Sequence, residues 1–188
     1  MSTEQLRLFF AVDVPEDRLV ALAARAEPLR QRLDGARWTP VENQHVTLKF
    51  LRPTPEERVS PLLEVMSAVR ARHAPFELRL SELGTFPERG KARVLWAGFD
   101  DPTPLRALAV DLDAALVPLE HQPASRPLSA HLTLARFKIP VAVRGLVDVD
   151  LGGLDPFTVS EVGLWRSRLS PKGARYERLG RAPLGARA

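Results

Sequence analysis

The sequence predicts an α+β fold in which a unit of mixed strand and helix occurs twice and two sheets face each other. Short apolar runs alternate with longer amphipathic ones along the chain. Two near-identical tetrapeptides, His45-Val46-Thr47-Leu48 and His131-Leu132-Thr133-Leu134, each stand where a loop gives way to a strand ahead of further sheet. No linker or low-complexity run separates the halves, so the 188 residues read as a single domain with one motif in each half.

Residues 6–12 are short, apolar and aromatic, which predicts an opening strand. Pro15, Glu16 and Asp17 then put proline and acids where the first turn of a helix favours them. Leu19, Leu22, Ala23, Ala26, Leu29 and Leu33 mark one face of that helix, and Pro28 is expected to kink or interrupt it. After Arg37-Trp38-Thr39-Pro40 the first motif opens a strand over 45–51. Thr54-Pro55-Glu56-Glu57 reads as a capping box for a helix carrying Val59, Leu62, Leu63, Met66 and Val69, with Pro61 allowing a later start at Ser60. Residues 76–83 and 93–99 predict paired strands joined by the basic segment 84–92. Thr103-Pro104 opens a third helix, with Leu105, Leu108, Ala109, Leu112, Ala115 and Leu116 turned inwards. A proline-containing loop over 122–129 delivers the second motif strand, 131–137, and the tail supplies strands over 157–169 and 174–179.

Composition narrows the function classes. With 45% hydrophobic residues the chain can bury a core. It has no cysteine, which rules out a disulfide framework, a thiolate nucleophile and cysteine-based metal sites, and suits a cytoplasmic setting. No basic leader precedes the first strand and no apolar run approaches the ~20 residues that span a bilayer, so an untargeted protein without a membrane association is expected. The sequence pI is about 10.1, and 23 of the 27 basic residues are arginine. Guanidinium groups match phosphate oxygens bidentately and stack on bases, which favours an anionic partner; a compositional bias towards arginine would give the same count.

The paired motifs carry the chemistry. Side chains at i and i+2 of a strand share a face, so each motif presents His with Thr while Val46, Leu48, Leu132 and Leu134 point into apolar packing. A pseudo-two-fold between the halves would gather two imidazoles and two hydroxyls around one small anion. Opening a cyclic phosphodiester takes a base to deprotonate water and an acid to protonate the departing ribose oxygen, and two imidazoles supply both near neutrality. Threonine hydroxyls can donate to the non-bridging oxygens, where charge builds in the transition state. No cofactor is needed. A two-histidine metal site is the rival, but zinc generally takes three or four protein ligands and no third stands at ligand spacing. His73 and His121 lack the motif context and are read as surface residues. Gly84 to Lys91 fails as a phosphate loop because its glycine spacing is wrong and Ala92 follows the lysine. Trp38, Trp96 and Trp165 are scattered singly, which favours packing.

These residues resemble the 2H phosphoesterase superfamily, and within it the bacterial and archaeal RNA 2′,3′-cyclic phosphodiesterases known historically as 2′-5′ RNA ligases. The resemblance covers nearly the whole chain. Residues 7–15 look like the opening strand, 37–40 with 43–51 the first motif block, 93–98 a family strand, 131–136 the second block, and 167–169 with 173–176 the closing hairpin. Ala130 departs from the proline often found before the second histidine, and Arg52 from the glycine that often follows the first block.

The resemblance implies a bilobal fold of two antiparallel sheets related by a pseudo-two-fold, with helices on the outer faces and the active-site cleft between them. It implies metal-independent hydrolysis of RNA 2′,3′-cyclic phosphate ends, tRNA fragments among them, to 2′-phosphates, by a monomer without cofactors. His45 would be the general acid at the 3′ oxygen and His131 the general base on water, with Thr47 and Thr133 holding the phosphate. Weak reverse ligation to a 2′-5′ linkage would need no ATP.

Lys49 shares strand parity with His45 and Thr47 and is a candidate to line the cleft. Arg136 matches the family block, although parity turns it away from Thr133 unless the strand bends; Phe10 is a candidate to stack on the terminal base. The alternatives are a non-catalytic RNA-end-binding module that keeps the cleft, and a phosphodiesterase acting on small cyclic nucleotides or 2′-5′ oligonucleotides.

Overall fold

The computed structural model describes residues 4–142, 149, 151–171 and 173–185. The chain begins with β1 (Gln5–Leu6) and β2 (Leu8–Val12), and every residue of β2 is buried. A strand apolar on both faces belongs at the centre of a sheet. Helix α1 (Glu16–Arg32) follows, with Glu16 and Asp17 in its first turn and Leu19, Leu22, Ala26 and Leu29 buried. It runs through Pro28 to Arg32, where the sequence predicts a kink or an interruption. Pro28 is exposed, so its ring points away from the sheet, while Ala26 and Leu29 on either side of it are buried and hold both turns down.

Next come β3 (Ala36–Trp38), a 3-10 turn over Val41–Asn43, β4 (Val46–Phe50) and β5 (Thr54–Pro55). Thr54 does not cap a helix. It lies in β5, paired with Leu6 of β1, and its buried hydroxyl donates to the Arg52 carbonyl at 2.7 Å. A 3-10 turn intervenes and α2 (Val59–Arg70) begins close to the later of the two starts. The chain continues through β6 (Phe76–Leu78), β7 (Leu80–Phe86), β8 (Ala92–Phe99), α3 (Thr103–Leu116), β9 (Leu132–Val141), β10 (Phe157–Val159), β11 (Glu161–Ser170) and β12 (Gly173–Pro183).

All strand pairing among the described residues is antiparallel. Two short ribbons, β1 with β5 and β6 with β10, lie outside a large sheet ordered β12-β11-β2-β4-β9-β8-β7. The expected pair over 76–83 and 93–99 is therefore split, since only β7 pairs with β8. β3 pairs with β9 at residues 135–137, on the edge that also meets β4. The large sheet thus resolves into two four-stranded halves, β12-β11-β2-β4 and β3-β9-β8-β7, joined where β4 meets β9 at Val46 and Leu132. Helices α2 and α3 pack together and cover the first half through β4, β11 and β12, while α1 shares a cavity with Trp38 and Leu134 of the second, to which it contributes Ala23, Ala26 and Arg30. One buried cluster runs through both halves, and each fully buried leucine in it contributes about 1.5–3 kcal/mol of transfer free energy. No helix among the described residues is long and apolar enough to cross a membrane.

Candidate active site

The junction of the two halves creates the site. Val46 and Leu132 pair across it, each directly after a motif histidine, so antiparallel geometry sets His45 against Thr133 and Thr47 against His131. Val46 and Leu132 are fully buried on the core side. On the other side, a cavity of about 80 Å³ is lined by His45, Thr47, His131 and Thr133, with Thr39, Asn43, Phe50, Arg136 and Tyr176 around them. The space suits a phosphate group and is too small for a nucleoside.

Both imidazoles are anchored in the same way. His45 Nδ1 lies 3.0 Å from the Asn43 carbonyl and His131 Nδ1 lies 2.7 Å from the Ser129 carbonyl, in each case two residues upstream. A carbonyl only accepts, so Nδ1 carries the proton in both rings and Nε2 keeps the lone pair in the neutral form. Aromatic rings hold each imidazole from the sides. Phe9 stacks on His45 with centroids 4.8 Å apart and Tyr176 meets it edge-on at 5.0 Å. Phe86 meets His131 edge-on at 5.0 Å, and Trp96 stands 6.5 Å away.

Burial among these rings pushes the His45 pKa down to about 4. The Asn43 carbonyl opposes the shift, and the charges of His131 and Arg136 add to it. Burial also lowers His131, opposed by the Ser129 carbonyl and assisted by Arg136. With both values below the ordinary 6.5, both imidazoles are neutral at pH 7 in the empty cleft.

Two β-bulges decide what else faces the cavity. Between β2 and β4, Ala11 pairs with Thr47 and Phe10 with Lys49, so Leu48 is an extra residue. The bulge turns Lys49 to the helix side and Phe50 to the cleft side. Lys49 accordingly pairs with Asp113 of α3 at 2.6 Å and donates to the Gln122 carbonyl at 2.7 Å, away from the place its parity predicted. Between β8 and β9, Trp96 pairs with Thr133 and Leu95 with Ala135, leaving Leu134 as the extra residue. This second bulge brings Arg136 round to line the cavity, the bend on which its place depended. Phe10 is fully buried, so the expectation that it stacks on a base is corrected. Its neighbour Phe9, on the opposite face of β2, is the ring at the site.

The other two histidines are not surface residues. His121 is only 6% exposed, and His73 is largely covered with Nε2 2.9 Å from Asp111 Oδ2. Trp96 packs closely over Gly84 and also flanks His131, whereas Trp165 carries the Arg178 guanidinium 4.6 Å above its ring. Sequence reasoning assigned no site role to Phe9, Phe50, Phe86, Tyr176, Thr39 or Asn43. Parity from the motifs could have found Asn43, which shares the His45 side of the chain, but the aromatic rings arrive from other strands. Among the described residues, no group of three or more histidine or acidic side chains is placed to hold a metal ion.

Comparison with known proteins places this arrangement in a family. The model of the LigT-like phosphoesterase family matches residues 12–96. An RNA 2′,3′-cyclic phosphodiesterase of Thermus thermophilus is 36% identical over 180 residues, which cover 91% of this chain and 86% of that protein. One of Geobacillus stearothermophilus is 33% identical over 183 residues, 94% of this chain; the match spans 56% of that longer relative. A crystal structure of a Thermus thermophilus protein superposes with a TM-score of 0.81 at 31% identity, covering 97% of this chain and all of that one. Similarity across nearly the full length of both partners, on a fold that brings the two histidine motifs to one cavity, shows that the chain belongs to the LigT-like phosphoesterase family.

Proposed function

We propose that this protein hydrolyses RNA 2′,3′-cyclic phosphate ends to 2′-phosphates. The observation that carries the reading is the convergence of two Nδ1-anchored imidazoles and two threonines on one phosphate-sized cavity. The names of the relatives, RNA 2′,3′-cyclic phosphodiesterases, support the same substrate.

With the cyclic phosphate seated between the motifs, Nε2 of His131 takes a proton from water as its oxygen bonds to phosphorus. The bond from phosphorus to the 3′ oxygen breaks on the opposite side, and His45 in its imidazolium form gives that oxygen a proton. The products are a free 3′-hydroxyl and a 2′-phosphomonoester. Although His45 is neutral in the empty cleft, the anionic phosphate favours its protonated form on binding. Thr47 and Thr133 donate to the non-bridging oxygens, and Arg136 adds a positive charge at the rim. With a 5′-hydroxyl end attacking in place of water, the same steps break the bond to the 3′ oxygen and give a 2′-5′ linkage, weakly and without ATP.

In this reading the chain is one bilobal catalytic domain with a motif from each half. It works as a cytoplasmic monomer, without metal or other cofactor, on RNA that includes tRNA fragments.

The test is hydrolysis of an oligoribonucleotide ending in a 2′,3′-cyclic phosphate, in EDTA, with the product position read by chromatography against 2′- and 3′-phosphate standards. The expected product is the 2′-phosphate, with the rate reduced about 10²–10⁴-fold in His45→Ala and in His131→Ala. Activity surviving both substitutions overturns the assignment.

A further inference from the structure

Beside the small catalytic cavity lies a larger groove of about 720 Å³. Phe9 lies against both, and Phe50, Arg136 and Tyr176 line both, so the two are continuous. The groove then runs out between the ends of β2, β4 and β11 past Arg7, Ser167 and Leu169.

Three features of this groove point to an occupant. Its volume is several times that of the catalytic cavity and falls within the range of about 300–1,000 Å³ typical of ligand sites, which leaves room for a nucleotide beyond the reacting phosphate. It is flanked by Phe50 and Leu169, which are 68% and 65% exposed, among the most exposed large apolar side chains of the described residues. A flat ring and an alkyl group left open to water offer stacking and contact surface for bases. It also holds two arginines at different depths. Arg136 lies at the mouth of the catalytic cavity and Arg7 lines only the groove, and neither forms an ion pair among the described residues.

An apolar trough with one cation at the reaction centre and a second set back along it matches a chain with two successive phosphates. We propose that the groove is a subsite for the RNA strand on the 5′ side of the terminal nucleotide. The base of the preceding nucleotide lies against Phe50 and Leu169, and the phosphate joining it to the terminal nucleotide meets Arg7. The inference rests on the cyclic-phosphate reading above and adds a determinant of substrate length to it. A nucleoside 2′,3′-cyclic monophosphate puts its phosphate in the catalytic cavity and its nucleoside at the mouth the two spaces share, whereas a dinucleotide with the same cyclic end also reaches along the groove to Arg7 and Leu169.

The experiment compares kcat/KM for a nucleoside 2′,3′-cyclic phosphate and for the matching dinucleotide, in the native protein and in Arg7→Ala and Leu169→Ser. Both residues are exposed, and thermal melting verifies that the variants fold. The native protein is expected to favour the dinucleotide by about tenfold or more, as one stacked base and one paired phosphate supply. Each variant should lose most of that ratio, and in the native protein the ratio should shrink as salt rises. Opening of both substrates with no preference, or with a preference that both variants keep, overturns the subsite while leaving the cyclic-phosphate reading intact, and hands the groove to another occupant. Failure of the native protein to open either substrate overturns the underlying reading and the subsite with it.

Discussion

Val46 and Leu132 pair across the junction of β4 and β9, and each is the residue that follows a motif histidine. That register makes the local symmetry of the site. It sets each histidine against the threonine of the other motif, and the same features recur on both sides. Nδ1 is anchored on the carbonyl two residues upstream, at Asn43 and at Ser129. An extra residue stands three positions after each histidine, at Leu48 and at Leu134. The position five after each histidine, Phe50 or Arg136, turns into the cavity. The halves differ in what they place there, an aromatic ring on one side and a guanidinium on the other.

Because Val46 and Leu132 are both fully buried at this joint, truncating them should loosen it. Leu132→Ala is expected to cost about 2–5 kcal/mol of unfolding free energy and Val46→Ala about 1–3 kcal/mol. The double variant should lose less than the sum, since the two side chains share a contact. Denaturant titrations of the three variants measure this, and strict additivity would show that the joint is not a coupled unit.

The bulges separate two cations that strand parity places the other way round. Lys49→Met should leave the cleft intact and destabilise the fold by about 1–3 kcal/mol, because it leaves Asp113 without its cation in a site where both side chains are mostly covered. Arg136→Met should leave stability nearly unchanged and reduce kcat/KM by about tenfold or more, since it removes a charge at the cavity. Parallel melting and kinetics decide it. A Lys49 variant with normal stability and impaired turnover would contradict the bulged register.

Those two residues also mark how much of the site was readable in sequence. The histidines and threonines were legible because period-two alternation holds from His45 to Leu48 and from His131 to Leu134, and the duplication singled them out. The alternation then breaks, and an extra residue in one strand inverts every later side chain. In the second motif a trace was visible, since Ala135 and Phe137 resume the apolar pattern one step late. In the first, Leu48, Lys49 and Phe50 keep alternating, so nothing announced that Phe50 rather than Lys49 faces the cavity. The rings around the imidazoles depend on which strands become neighbours. Phe9 reaches His45 through β2 and Tyr176 through β12, contacts that no local pattern encodes. The α+β class and the three helices followed from apolar periodicity, whereas the cap at Thr54 failed because β1 recruits that residue into a ribbon.

Gly84 tests the support behind His131. It pairs with Trp96 across β7 and β8, and a Cβ added there would run into the six-membered ring of that indole. A rigid ring cannot yield as a flexible side chain does, so Gly84→Ala should push Trp96 towards Phe86, which packs on both Trp96 and His131. The expected result is a reduction of kcat by about tenfold, with a change in tryptophan fluorescence, from a residue that does not line the catalytic cavity. Unchanged kcat and emission would mean that the Trp96 side of the site is not rigid.

The lowered histidine pKa values fix the sign of two pH effects. A bell-shaped kcat/KM profile reports the free enzyme, where one imidazole must be protonated and the other neutral. With His45 near 4 and His131 also below 6.5, the optimum of kcat/KM should lie below pH 6.5 and the rate constant should fall as pH rises beyond it. Bound phosphate favours the protonated imidazole, so the alkaline limb of kcat should stand at higher pH than that of kcat/KM. Stability moves in the matching direction. Between pH 6.5 and about 4 the unfolded chain binds protons at these histidines that the folded chain refuses, so acidification through this window should lower the melting temperature. His45→Asn should flatten that slope between pH 6.5 and about 4, whereas at pH 8, where both states hold a neutral ring, neither the native protein nor the variant should show a slope from this position. A kcat/KM optimum above pH 7, or a melting temperature that does not fall on acidification, would show that the cleft does not hold its imidazoles neutral.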